Sequence, residues 1–373
     1  MKLIATVQLL TDEAQKERLL ETLRRANAAC DWIAEKAFKL RTADKLRLQK
    51  LFYHEIRKTF DLSAQHAVRA ISKVCEVYKR DKAKLPKFNP LGSFPYDQRL
   101  YTFKNGLDRL SILTLNGRIT VPCAIGSYHR ARLEGVRGQA DLVYRRGKLY
   151  LFVTVDVPDG SPIDPEGWLG VDLGIRNLAV DSDAEFHSGA EVEAARQRYS
   201  SHRQRLQACG TKSAKRRLKK ISGKEARFRS IENHRISKCI VTKARDTGRG
   251  IALENLKGIR VRVTVRKSQR AKHAGWAFYQ LRGFITYKAL LAGVSVRLVN
   301  AAYTSQSCPE CGTIDKRNRK TQSEFLCVGC GFEGHADHVG ARNISSRAAV
   351  NQPIVANDDG VVSPGVQLQK FVA

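Results

Sequence analysis

The stretch WLGVDLGIRNLAVDSD, residues 168–183, decides how the chain is to be read. Two β-rich segments with a short Gly-containing connection predict two strands joined by a tight turn. Asp172 sits inside the first, between Val171 and Leu173. A carboxylate buried in an apolar strand is costly unless it is paired or metal-bound. Two further acids stand in comparable settings. Glu254 closes the apolar run of GIALENL (250–256), and Asp337 opens the last helical segment, HADHVGARNI (335–344). Taken singly, each has a bland reading: Asp172 a turn residue, Glu254 a strand-end surface charge, Asp337 a helix cap.

The ordered set points elsewhere. A strand-borne Asp followed by a hairpin, a later strand ending in Glu, and an Asp on a terminal helix match the ribonuclease H-like arrangement. There the first and fourth strands are neighbours and the closing helix crosses their end, so the three carboxylates converge. Hydrolysing a phosphodiester requires an activated water and a stabilised leaving oxyanion. Two divalent ions about 3.5–4 Å apart do both, and carboxylates are the hard oxygen ligands they need. Without metal, clustered carboxylates raise one another's pKa. Two magnesium ions are therefore expected, with manganese an acceptable substitute on ligand type.

Composition narrows the partner. The 373 residues carry 66 Lys and Arg against 36 Asp and Glu, a formal net charge of +30. Such an excess repels itself unless a polyanion is the usual partner, and nucleic acid is the first candidate. The charge is concentrated: between Arg196 and Arg229 there are thirteen Lys or Arg and one acid, Glu225. A solvated, salt-bridge-laced helix face would interleave acids, which this run lacks. Arg203, Arg205, Lys215, Arg216, Arg217, Lys219 and Lys220 are therefore candidate phosphate contacts, giving affinity rather than base specificity. Trp276, Tyr279 and Tyr303 could stack on bases, although Trp276 and Tyr279 also fit a helix core beside Leu281 and Ile285. No membrane partner is expected: the most apolar run, Phe284 to Val299, is interrupted by Lys288 and Arg297. The opening MKLIATVQLL lacks the pattern of a secretion signal and reads as a strand.

Nine cysteines divide into five scattered singly and four in two CxxC pairs. An odd count in a large basic chain implies a reducing compartment, with the cytoplasm the expected location. Cys308-Pro-Glu-Cys311 and Cys327-Val-Gly-Cys330 are separated by fifteen residues, the spacing of a tetrahedral zinc site. Gly312 and Gly331 follow the pairs and ease the tight turns around a metal. One structural zinc is expected, since four thiolates close the coordination sphere. His335 and His338 flank Asp337 and could approach either metal.

The N-terminal half names no chemistry. Residues 1–10 read as a strand and 11–90 as a helical insert, with Thr11 or Asp12 capping its first helix. The Pro- and Gly-containing segment 85–97 ends the insert. Residues 91–160 read as short strands, including an Asn116-Gly117 hairpin and another around Arg146-Gly147. The prediction is an α/β protein plus a β-barrel-like module interrupted by helices. The tail from residue 350 is expected to be loosely ordered.

GVDLGIRNLAV (170–180), IALENLKGIR (251–260), the stretch from Trp276 through YKALLAGVSVRLVNAAYTSQSCPECG (287–312) and CGFEGHADHVGARNI (330–344) resemble the blocks of TnpB. These insertion-sequence proteins are related to the compact effectors of type V CRISPR systems. The resemblance implies a RuvC nuclease domain, over 167–302 and 335–349, with a zinc ribbon inserted at 303–334. It also implies a wedge-type barrel around a helical recognition domain. The activity implied is RNA-guided DNA cleavage, with a guide RNA and a target DNA as partners. The catalytic acids carry over onto Asp172, Glu254 and Asp337, and the zinc ligands onto Cys308, Cys311, Cys327 and Cys330. One departure stands out: where the family continues with Asn and Ala after the last Asp, this chain has Val339 and Gly340. A guided DNA-binding protein that does not cut, and a strand-transferring transposase, use related features and are the alternatives.

Overall fold

Strand β1 (Lys2–Leu9) buries Ala5, Val7 and Leu9 on alternate positions, the period-2 pattern of a strand with one face on a core. The computed structural model describes residues 1–135, 137–256 and 278–350, and the chain divides into two units, Met1–Pro158 and Asp159–Ala373. Trp276 and the tail after residue 350 lie outside the described residues.

In the first unit, helices α1 (Glu13–Lys39), α2 (Lys45–Phe60) and α3 (Ala64–Arg80) follow β1. Asp12 caps α1 in a capping box, accepting from the Gln15 N–H at 2.7 Å while Gln15 Oε1 accepts from the Asp12 N–H. Then come β2 (Phe94–Tyr96), β3 (Tyr101–Lys104), β4 (Arg109–Thr114), β5 (Gly117–Ala124), α4 (Ser127–Leu133), β6 (Arg137–Arg145) and β7 (Lys148–Asp156). Seven antiparallel strands run in the order β2-β6-β7-β1-β5-β4-β3. The two edge strands are joined by Asp97–Leu100, and the Tyr101 hydroxyl of β3 donates to Gly138 O on β6 at 2.8 Å. The sheet thus curls into a nearly closed barrel.

Several details add to what the sequence predicts, and one differs from it. The helices have no core of their own: Leu19, Leu23, Ile33, Ile71 and Val74 share one cluster with Val7, Leu110, Leu142 and Leu151 of the strands. Strand β2, in the Pro- and Gly-containing segment that ends the helical insert, carries Pro95, which is tolerated because the strand is an edge. The first hairpin turns one residue early, with Thr114 opposite Gly117 and Gly117 at φ +88°. That geometry fits a turn closed by a left-handed glycine rather than an Asn-Gly centre. The second hairpin has Arg146 and Gly147 at φ +52° and +81°, as its two-residue turn requires.

The second unit contains β8 (Trp168–Asp172), β9 (Asn177–Asp181), β10 (Phe186–Ser188), α5 (Ala190–Cys209), α6 (Lys212–Ile221), α7 (Lys224–Asp246) and β11 (Gly250–Glu254). Further along the chain come α8 (Phe278–Leu291), β12 (Val296–Val299), β13 (Glu324–Leu326), β14 (Glu333–His335) and α9 (Ala336–Ala349). The main sheet runs β10-β9-β8-β11-β12, so the first and fourth strands are neighbours. Strands β8, β11 and β12 are mutually parallel, while β9 pairs antiparallel with both of its neighbours, β8 and β10. Both faces are covered, which explains the unbroken apolar runs. Leu169, Val171, Ile251 and Leu253 pack on α7 and α8 through Ile236, Ile240, Leu281 and Ile285. The opposite face, with Trp168 and Ala252, packs on Ile344 and Ala348 of α9.

Helix α9 crosses β8 at Gly170. A Cβ there would lie 2.1 Å from Ala341 O and 2.5 Å from the Ser345 nitrogen, so no side chain fits. Ser345 Oγ donates to Trp168 O at 2.5 Å and fastens the crossing. Gly170→Ala is expected to destabilise the second unit by at least about 3 kcal/mol, the upper range for forced overpacking. Urea unfolding checks this; a midpoint equal to wild type contradicts the crossing.

Candidate active site and metal centre

Alternation along two neighbouring parallel strands brings the first two acids together. Val171 pairs with Leu253, so Asp172 and Glu254 end their strands side by side. Both belong to the series facing α9, Trp168-Gly170-Asp172 and Gly250-Ala252-Glu254. The first turn of α9 supplies Asp337, which is almost fully buried. One turn later an added Cβ on Gly340 would lie 3.3 Å from Asp172 Oδ2, so α9 passes directly over Asp172.

The environment is strongly unfavourable to carboxylates alone. Burial, reinforced by the charges of Glu254 and Asp337, pushes Asp172 up to about 8. Burial also raises Glu254, opposed by a hydrogen bond from the Thr304 hydroxyl and by the charges of Arg347 and Arg319. Asp337 accepts from Asn177 Nδ2 at 2.9 Å and lies 3.4 Å from the Arg319 guanidinium. Other acids nearby are compensated. Asp181 and Asp183 bind Lys243 at 2.5 and 3.2 Å, Arg249 binds Asp183 at 2.6 Å, and these partners hold Asp183 down at about 2. Asp172 and Glu254, by contrast, form no ion pair among the described residues. Three hard oxygen donors short of positive charge suit a divalent cation.

The four thiolates form a second centre. The Sγ atoms of Cys308, Cys311, Cys327 and Cys330 all lie within 4.8 Å of one another; Cys308–Cys330 is 3.7 Å and Cys311–Cys327 is 3.5 Å. These separations are too long for a disulfide. They approach the edge of roughly 3.8 Å that a tetrahedron with 2.3 Å metal–sulfur bonds requires. Gly312 and Gly331 adopt φ +76° and +78° and return their N–H groups to Cys308 O and Cys327 O, each at 3.0 Å. Hydrogen bonding with the Thr313 hydroxyl and backbone holds the Cys311 thiol down at about 6. The cluster could bind a metal such as zinc. Among the described residues it is the one such group with ligand atoms this close; the three carboxylates are spread more widely.

Of the cations singled out in the basic run, Arg203 is committed to Glu225 at 2.8 Å. Arg205, Lys215, Arg216, Arg217, Lys219 and Lys220 are exposed on α5 and α6. Tyr279 is half-buried, packs on Phe278 with ring centroids 4.0 Å apart and donates to Leu256 O, whereas Tyr303 is 58% exposed. His335 caps α9 through Nδ1, and His338 Nε2 meets Ser182 O at 3.1 Å. Neither joins the thiolates. Sequence reasoning missed Arg319, Thr304 and Asn177. Nothing in the local pattern sets Arg319 apart from its neighbours Lys316, Arg317 and Lys320.

Two family models match the chain: "Cas12f1-like, TNB domain" over residues 278–344 and "Probable transposase", OrfB_IS605, over 152–258. Together they span all three acids and all four cysteines. The chain is a relative of the TnpB and Cas12f proteins. It is 36% identical over 220 residues to the CRISPR-associated endodeoxyribonuclease Cas12f1 of Sulfoacidibacillus thermotolerans, covering 54% of this chain and 50% of that protein. It is 28% identical to InsQ of Escherichia coli (strain K12), covering 75% and 72%. The TnpB-like protein MJ0751 of Methanocaldococcus jannaschii is 24% identical, covering 66% of this chain and 93% of its own length. Matches to the Cas12f1 proteins thus span about half their length or less. Among solved structures, the Cas12f1-sgRNA-target DNA complex aligns with a TM-score of 0.54 at 15% identity, covering 88% of this chain and 83% of that one. The mini-RNA-guided endonuclease CRISPR-Cas_phi3 aligns with 0.58 at 10%, covering 95% and 93%. The chain shares the fold of compact Cas12 effectors.

Stripping metal from the thiolate cluster is expected to open the ribbon and, through Ala336 and Val339 in its apolar core, loosen α9. Limited proteolysis after chelation should cut between residue 301 and α9; an unchanged digestion pattern refutes the coupling.

Proposed function

We propose that the chain is an RNA-guided DNA endonuclease with one RuvC-like carboxylate site formed by Asp172, Glu254 and Asp337. The observation that carries this reading is the meeting of two strand-end carboxylates on neighbouring parallel strands beneath the N-terminus of α9, with neither strand acid ion-paired among the described residues. Crevices at the carboxyl ends of parallel strands are where open α/β sheets bind their ligands. The strand order is that expected for a ribonuclease H-like domain, and the carboxylates suit two magnesium ions, or manganese. When bound, such ions supply an activated water and neutralise charge on the leaving oxygen.

The chain's own residues divide the remaining work. Asp172 presents its carboxylate from the sheet, Glu254 from the adjacent strand and Asp337 from the helix. Four thiolates hold one structural zinc and fix the ribbon from which α9 departs. Exposed cations of α5 and α6 meet phosphate backbone, giving affinity and placement. A guide RNA pairing with target DNA supplies sequence choice, a reading supported by the likeness to Cas12f1 and by the net charge of +30. The barrel serves as the wedge, and α1–α3 as the recognition insert.

Purified protein with its copurifying RNA and magnesium should cut DNA matched to that RNA. Asp172→Ala should leave nucleic-acid binding intact and cut at below about one hundredth of the wild-type rate, since even outer partners of metal ligands cost 10–100-fold. Cutting by this variant at the normal rate sinks the site assignment. Joined DNA products that form after ribonuclease treatment would instead mark a transposase. Replacing Lys215, Arg216, Lys219 and Lys220 by Ala should flatten the plot of log affinity against log salt by about 0.7–0.9 for each phosphate these side chains neutralise. An unaltered slope removes α6 from the interface.

A further inference from the structure

We propose that Thr304 and Asn177 are positioning residues, each fixing one of the candidate metal-binding carboxylates with a neutral hydrogen-bond donor, and that α9 ties the two together. The proposal rests on the carboxylate site described above. Neither residue touches a substrate or reacting atom; each acts through the acid it holds.

Thr304 is 3% exposed, and its hydroxyl donates to Glu254 Oε1. A hydroxyl has one proton to give. Ala301 O lies 3.1 Å from the same oxygen and competes for it, but a carboxylate is the stronger acceptor. The loop carrying Thr304 is held in turn by Asn343 of α9, whose Nδ2 donates to Thr304 O and Ser307 O, each at 2.8 Å. Asn343 is itself 7% exposed. The helix that presents Asp337 from its first turn therefore also holds, two turns later, the loop that orients Glu254. On the other side of the site, Asn177 opens β9 and donates from Nδ2 to Asp337 Oδ2 at 2.9 Å. A carboxylate partner can only accept, which fixes the orientation of the amide.

Neutral donors matter here. The Asp183 carboxylate, held by Arg249 and Lys243, would have to surrender those charges before a cation could take it. Thr304 and Asn177 orient Glu254 and Asp337 with neutral groups that carry no charge to surrender, and Arg319, 3.4 Å from Asp337, is the one cation paired with either acid among the described residues. Outer partners of metal ligands typically contribute 10–100-fold in metal affinity or activity.

The test is calorimetric titration of the zinc-loaded full chain with Mn2+, read alongside thermal unfolding without Mn2+ and guided cleavage. Wild type, Thr304→Val, Thr304→Ser, Asn177→Ala and Asp172→Ala are compared. Thr304→Val and Asn177→Ala should each weaken Mn2+ binding about 10–100-fold, with unfolding temperatures close to wild type. Thr304→Ser keeps the hydroxyl and should restore affinity to near wild type. Should Thr304→Val fail to fold, Asn177→Ala and Thr304→Ser carry the comparison. Unchanged Mn2+ affinity in Asn177→Ala and Thr304→Val, or failure of Thr304→Ser to restore it, overturns the proposal. So does Mn2+ binding that Asp172→Ala leaves unaltered. Wild type that binds Mn2+ in the expected order of variants yet never cuts matched DNA upholds the positioning roles and rejects the nuclease reading.

Discussion

The second unit depends on a close crossing of helix over strand. At Gly170 the backbone of α9 comes so near β8 that no Cβ can be accommodated, and the Ser345 hydroxyl secures the contact to Trp168 O. Close approach of this kind is a use for which glycine alone is suited. The crossing places Gly340 against Asp172 and swings the first turn of α9, with Asp337, over the strand ends. It also sets the surroundings of the two residues that depart from the family block. Gly340 leaves Asp172 Oδ2 the space that an alanine methyl would crowd at 3.3 Å. Val339 points the other way, into the apolar cluster of Phe325, Phe332, Cys308 and Cys327.

Charge then separates the ion-paired acids of the hairpin from the three candidate site acids. The β9–β10 hairpin carries Asp181, Asp183 and Glu185, and all three are met by Lys243, with Arg249 added at Asp183. Partners of this kind stabilise the anionic form. Asp172 has the opposite surroundings: the charges of Glu254 and Asp337 act against its anion, and that of Arg319 opposes them. Arg319 also acts on Glu254 and approaches Asp337, so a single ribbon guanidinium is shared by all three. In a chain with so large an excess of cations, leaving three acids this poorly neutralised is a specific arrangement, not a shortage of Lys and Arg.

Much of this was legible because it is local. Asp172 declared itself by interrupting an apolar strand, the thiolates by spacing, and Gly312 and Gly331 by following each CxxC pair into a left-handed turn. What escaped was set by distant contacts. Thr304 and Asn177 look like ordinary loop and strand residues until the fold delivers Glu254 and Asp337 to them. Arg319 is one cation among several in its segment. The same limit applied in the first unit: the apolar faces of α1 and α3 were plain, but periodicity does not say that they share a core with the strands. Strand β2 carries Pro95, and its edge position makes that residue acceptable.

The ribbon links the two centres physically. It is inserted between β12 and α9, and its small apolar core includes Ala336 and Val339, which lie on either side of Asp337 in sequence. Arg342 on the same helix pairs with Glu310 inside the first CxxC at 2.9 Å. A domain of this size has too little apolar surface to hold itself together, and metal ligation is the usual remedy. The stability of the thiolate cluster is therefore also the stability of the surface on which α9 begins. Asp337, Arg319 and, through Asn343, the Thr304 loop all depend on that surface. Sequence order places the thiolates immediately before the third acid, and packing turns that adjacency into mechanical dependence.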